Sequence, residues 1–304
     1  MKIKNTLQIN YWTIGGFEGK KPVEQALREA KEIGFEGLEL CFGAGELVPG
    51  ISEKRCREIG AAAQKLGMKI ETMASGNYWG KSLSSPVAEV RKEAVQFSRE
   101  YIRAAGLIGA KTVLIVPGAV AVPWDSSQPV VPYQAAWKYA AESLRALLPT
   151  ARKYGVRIGL ENVWNWFLAD PVAMKTFVDQ FKSKLVGVYF DVGNCLINGY
   201  AEHWVEILGK RIFAVHLKNF SRSDCGGNLH GFGDDILKGD LNWEAVLGAL
   251  RRIKYGGPLT AEMIPFSRLP NLVLPDMDLA RDTGRKLSVR LSKVRAGLPI
   301  RPSE

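Results

Sequence analysis

Apolar and polar positions along the chain follow two alternating periods. Strand-length apolar runs recur at 7–12, 37–42, 69–74, 112–117, 157–161, 186–191, 212–218 and 259–264. Their centres, such as Thr-Val-Leu-Ile-Val from Thr112 and Val-Gly-Val-Tyr-Phe from Val186, read as strands covered on both faces, the habit of parallel sheets. Between them the spacing changes to that of amphipathic helices, predicted at 23–33, 53–66, 87–108, 133–154, 171–181, 201–208, 243–253 and 276–296. Gly34, Gly67, Gly155 and Gly209 stand at helix ends, and Asp170-Pro171 reads as a cap followed by a first-turn proline.

Eight strands alternating with eight helices predict an α/β fold, a (β/α)8 TIM barrel. The open doubly wound sheet is disfavoured, because the turn after the first strand, Tyr11-Trp-Thr-Ile-Gly-Gly, lacks the GxGxxG spacing that cradles a pyrophosphate. No linker or low-complexity segment divides the chain, so residues 1–304 are read as one barrel domain. Two long connections, 118–131 and 220–242, follow strands four and seven. Both fall at the C-terminal face of the barrel, where such folds place their chemistry.

Composition narrows the setting. Of 304 residues, 46% are hydrophobic and 24% charged, the balance of a globular domain with a sizeable core. Net charge is +10, but no block of like charges marks a nucleic-acid or membrane surface, so neither partner is expected. No apolar run approaches the ~18 residues of a membrane span, and no secretory leader is read at the start. Cys41, Cys56, Cys195 and Cys225 lie far apart, which suits free thiols in the cytoplasm. Only three histidines are present, His203, His216 and His230.

The chemistry lies at the ends of the later strands. Strand five ends at Glu161 and strand six at Asp191, while strand seven carries His216 and strand eight Glu262. The gaps of 30, 25 and 46 residues are those of successive βα units, so all four side chains are expected in one mouth. Each alone has an ordinary structural reading: a rim carboxylate, a helix cap, a core histidine. Together, three carboxylates in a low-dielectric mouth repel one another unless a cation compensates them. Oxygen-rich ligation with one imidazole favours Mn²⁺, with Mg²⁺ or Co²⁺ next.

The runs Gly159-Leu-Glu-Asn-Val-Trp-Asn, Tyr189-Phe-Asp-Val-Gly-Asn, Val215-His-Leu-Lys and Leu259-Thr-Ala-Glu-Met resemble the xylose isomerase-like barrel superfamily. More closely, they are similar to its sugar (phosphate) isomerase/epimerase branch, which includes ketose 3-epimerases and L-ribulose-5-phosphate 3-epimerase. The resemblance spans nearly the whole chain, with the specific motifs in its second half. It implies that Glu161, Asp191, His216 and Glu262 hold one divalent metal and that the two glutamates exchange the substrate proton. It also implies that Arg222, six residues after the metal histidine, reaches the substrate. Free-ketose epimerases carry a histidine where this chain has Asn194. The branch that cleaves DNA with three zinc ions needs more histidines than this chain contains.

The resulting expectation is a metal-dependent sugar or sugar-phosphate isomerase or epimerase working through an enediolate. A lyase acting on a keto-sugar, keto-inositol or keto-glycoside, and a non-catalytic sugar-binding subunit, are the alternatives. Trp12, Trp124, Trp164 and Trp166 are read as a sugar-stacking wall. Lys218 is expected to touch substrate oxygens, Glu39 to hold either a substrate hydroxyl or an internal ion pair. Lys218, Arg222 and Lys238 together suggest a phosphate. Self-assembly into a homo-oligomer is left open.

Overall fold

The computed structural model describes residues 5–266 and 274–295. Eight parallel strands, β1 (Leu7–Asn10), β2 (Gly37–Cys41), β3 (Thr72–Ala74), β4 (Thr112–Ile115), β5 (Arg157–Glu161), β6 (Val186–Asp191), β7 (Ile212–Leu217) and β8 (Leu259–Ala261), close into a barrel in chain order. The helices are α1 (Val23–Ile33), α2 (Glu53–Lys65), α3 (Ala88–Ile108), α4 (Tyr133–Arg145), α5 (Leu148–Tyr154), α6 (Pro171–Asp179), α7 (Ala201–Leu208), α8 (Trp243–Arg252) and α9 (Met277–Arg295).

α1 shows how the helices are specified. Val23, Ala26, Leu27 and Ala30 form its buried stripe, and Gly34 closes it at φ 102°, a left-handed conformation that costs glycine nothing. The predicted helix 133–154 is two helices. Pro149 has no N–H to offer the Arg145 carbonyl and its ring clashes with that turn, so the chain breaks after Arg145 and restarts at Leu148. The predicted strands 7–12, 69–74 and 259–264 are shorter at one end, and Trp12–Gly16 instead forms one wide helical turn. The last position of the predicted final helix, Ala296, lies outside the described residues.

The barrel interior is more polar than the apolar runs suggested. Gln8 and Asn10 of β1, Glu39 of β2, Thr72 of β3 and Thr260 of β8 are all buried. Gln8 Nε2 donates to Thr72 Oγ1 at 2.8 Å and to Thr260 Oγ1 at 3.0 Å, which places these side chains inside the ring. Strand alternation turns the intervening Ile9, Leu38 and Leu40 outward under the helices. This polar floor supports the site above it. Among the described residues no helix is long and apolar enough to cross a membrane.

Candidate metal centre and its cavity

Pairing of β6 with β7 sets Asp191 beside His216, and Glu161 and Glu262 complete the group from β5 and the end of β8. One ligand atom from each of Glu161, Asp191, His216 and Glu262 lies within 4.8 Å of all the others. His216 Nδ1 is 3.5 Å from Glu161 Oε1, 3.7 Å from Asp191 Oδ2 and 3.5 Å from Glu262 Oε2. The four residues expected to converge do so.

Each ligand is aimed by its surroundings. The backbone N–H groups of Gly193 and Asn194 donate to Asp191 Oδ1 at 2.8 and 2.7 Å, so the turn after β6 takes up only one carboxylate oxygen. Oδ2 is left facing the centre. Asn162 fastens β5 to β6, accepting from the Asp191 N–H and donating to the Asp191 carbonyl, both at 2.8 Å. Gly193 is needed for close approach, since a Cβ there would lie 2.6 Å from Lys218 Cγ. Below the centre, His216 Nε2 sits 2.6 Å from Glu39 Oε1, which also accepts from Asn10 Nδ2 at 2.7 Å, and the Tyr189 hydroxyl donates to Glu39 Oε2. Of its two expected roles, Glu39 has the internal ion pair: it is fully buried and does not line the cavity.

The charges do not balance. Glu39, Glu161, Asp191 and Glu262 face one imidazole and one lysine, Lys218, whose Nζ is 2.9 Å from Asp191 Oδ2 and 2.6 Å from Glu262 Oε2. Burial pushes the Glu161 carboxyl up to about 7. Burial also raises Asp191, against the pull of Lys218. Glu262 is equally buried, yet the His216 and Lys218 charges hold it below its ordinary value. Burial opposes a charge on His216, but Glu262 and Glu39 outweigh it and raise the imidazole well above the usual histidine range. His216 Nδ1 and Asp191 Oδ2 are buried without a hydrogen-bond partner, although Oδ2 has the Lys218 charge beside it. These two buried atoms without hydrogen-bond partners, together inside an acidic cluster, fit a divalent cation, and the donor set suits a hard, oxygen-preferring ion.

Above the centre opens a cavity of about 620 Å³. Glu161, Glu262, Lys218 and Asn194 are at its floor, and Trp12, Phe42, Trp79, Trp124, Trp164 and Phe232 make its walls largely aromatic. Of the four tryptophans read as a stacking wall, Trp12, Trp124 and Trp164 line this cavity, while Trp166 lines an adjoining one. Asn194 donates to the Asn162 carbonyl at 2.9 Å and accepts from Trp164 Nε1 at 2.8 Å through its own carbonyl.

Of the three residues named for a phosphate, Lys218 alone lines the main cavity. Arg222 turns away: its Nε is 3.5 Å from Asp240 Oδ2, its guanidinium covers the Tyr200 ring, and it does not line the main cavity. Lys238 is exposed and lines neither cavity. Lys218 does reach the cavity, but its charge is taken up by Asp191 and Glu262. Asn10, Tyr189 and Asn162 went unread in the sequence, since nothing local marks a polar residue whose partner lies on another strand.

A family model described as the xylose isomerase-like TIM barrel matches residues 27–283. The chain belongs to that family. Among curated proteins, an uncharacterised protein of Methanocaldococcus jannaschii is 28% identical over 189 residues, 57% of this chain and 57% of that protein's length. A D-psicose 3-epimerase from Clostridium cellulolyticum H10, solved with D-tagatose, superposes with a TM-score of 0.75 at 21% identity over 97% of this chain and 100% of its own. An L-ribulose 3-epimerase gives 0.76 at 18% identity, covering 96% of each chain. At such identities the likeness speaks for the fold.

Proposed function

We propose that this family member is a metal-dependent sugar isomerase, acting as an epimerase on a keto sugar. The observation that carries the reading is that Glu161 at the end of β5 and Glu262 just past β8 belong to one buried four-ligand cluster and line the same cavity. Its structural neighbours being ketose epimerases adds support. Glu161, Asp191, His216 and Glu262 would hold the ion, Mn²⁺ before Mg²⁺ or Co²⁺. Bound there, it supplies electrophilic polarisation of a substrate carbonyl and its neighbouring hydroxyl.

The chain's own residues do the rest. One glutamate takes the proton from the carbon beside the carbonyl, leaving a flat enediolate, and the other returns a proton. Return to the opposite face inverts the carbon. The aromatic walls exclude water from the anion and offer flat surfaces to the sugar's C–H faces. Asn194 and Lys218, at the floor, are placed to meet substrate oxygens. Lys218, which lines the cavity, is engaged by Asp191 and Glu262, which favours an unphosphorylated sugar. The four free cysteines, all buried, fit work in the reducing cytoplasm.

Proton exchange in D₂O, followed by NMR over a panel of ketoses and keto-glycosides, tests this. Exchange should need Mn²⁺ and fall at least ~10²-fold in Glu161→Gln and in Glu262→Gln at saturating metal. Full turnover after exhaustive chelation, or near-normal turnover in either variant, would sink the proposal. An enone absorbance in place of an epimer would show elimination instead.

A further inference from the structure

A second cavity adjoins the main one. Beyond the Trp164 indole lies a space of about 520 Å³, and Trp124, Val163, Trp164, Asn194 and Leu229 line both. Each cavity falls in the range of about 300–1,000 Å³ that takes a drug-sized ligand, so the pair exceeds what one monosaccharide ring fills. The farther wall of the second includes Trp166, Leu168, Ile197 and Trp204. Trp124 and Trp166 are 49% and 58% exposed, and among the described residues no other tryptophan is comparably open. Both line this second space.

These two indoles stand on a fixed support. Trp166 and Leu168 have φ of 57° and 54°, in the left-handed region that bulky residues avoid, so the loop after β5 is held against local preference. Asn165 holds it. Its side-chain amide donates to the Gly118 carbonyl at 2.6 Å, its own carbonyl accepts from Val120 and Ala121, and its Oδ1 accepts from the Phe167 N–H. The loop carrying Trp166 is thereby clamped to the loop carrying Trp124. Polar side chains in the lining are largely engaged with the protein: Asn162 with Asp191, Asn198 with the Ala169 carbonyl, Asn228 with His230.

We propose that the substrate is a keto sugar carrying a flat apolar substituent, an aromatic glycoside being the simplest case. The sugar lies over the carboxylate cluster and the substituent enters the second cavity against Trp124 and Trp166. The sugar half of this proposal rests on the epimerase reading; the aromatic half rests on the second cavity alone.

Calorimetric titration of the Mn²⁺-loaded chain with the 3-keto forms of para-nitrophenyl β-D-glucoside and of methyl β-D-glucoside tests it. The aryl glycoside should bind at least about tenfold more tightly, equivalent to about 1.4 kcal/mol. The gap should shrink to within about threefold in Trp166→Gly, where glycine keeps the left-handed backbone, and in Trp124→Ala, with Mn²⁺ affinity unchanged in both. Equal affinities, a gap that survives both substitutions, or no measurable binding of either glycoside at millimolar concentration would overturn the proposal. If Mn²⁺ does not bind and no ketose exchanges its proton, the epimerase reading fails while an aryl preference still stands. Loss of the aryl preference with metal binding and exchange intact ends this proposal alone.

Discussion

Replacing Glu39 by glutamine separates the charge of that residue from its shape. Glu39 is fully buried, and its Oε1 accepts from Asn10 Nδ2 at 2.7 Å and faces His216 Nε2 at 2.6 Å. A glutamine oxygen in the same place can accept both bonds. The amide nitrogen then faces the Tyr189 hydroxyl, which can turn from donor to acceptor. Packing and hydrogen bonds are thus nearly conserved, and the negative charge behind the imidazole is lost. That charge favours the tautomer with the proton on Nε2, leaving the Nδ1 lone pair at the centre, and it strengthens the imidazole as a ligand. Carboxylates in this supporting position are worth about 10–100-fold in metal affinity, or about 1.4–2.8 kcal/mol. We expect Glu39→Gln to weaken Mn²⁺ binding by that factor in calorimetric titration, with an unchanged circular dichroism spectrum. A folded variant that binds Mn²⁺ as tightly as the parent, or more tightly, would refute the view that Glu39 prepares His216 for a metal.

Two further outcomes follow from contacts away from the centre. Arg222→Ala should leave KM for the turned-over sugar within about twofold, because the guanidinium is held by Asp240 and Tyr200 outside the main cavity, and a loss near the ~10²-fold expected of a gripping group would show that it swings inward. Arg55 joins Glu24 at 2.7 Å and Glu46 at 2.6 Å, each of the three side chains about a third exposed, so Arg55→Met should cost only about 1 kcal/mol near neutral pH. The Arg55 hydrogen bond holds the Glu24 carboxyl below its ordinary 4.5, so this contribution is complete above 4.5 and fades as pH falls through the lowered value. Urea unfolding at neutral and at acid pH should therefore show the Arg55→Met penalty shrinking in acid, and an equal penalty at both would contradict the assignment.

The local pattern of this chain determines its barrel and most of its centre. A strand buried on both faces followed by an amphipathic helix has one economical way to repeat, and repetition carries the residues at strand ends to one mouth. Glu161, Asp191 and His216 were legible on that ground, and Glu262 was found just past the end of β8 although its strand was expected to run on. The break at Pro149 is also written in the sequence, as a local steric rule inside a strong helical period. Tertiary structure alone decided the rest. Glu39 and His216 are 177 residues apart in sequence, and only closure of the barrel makes them partners. Spacing after the metal histidine says nothing about which way a loop side chain points, and Arg222 turns to Asp240. The second cavity is lined from two loops that Asn165 ties together, a contact between residues far apart in sequence. Periodicity records which face of an element is buried, whereas the partner of a polar side chain depends on register and loop path, set by contacts between distant parts of the chain.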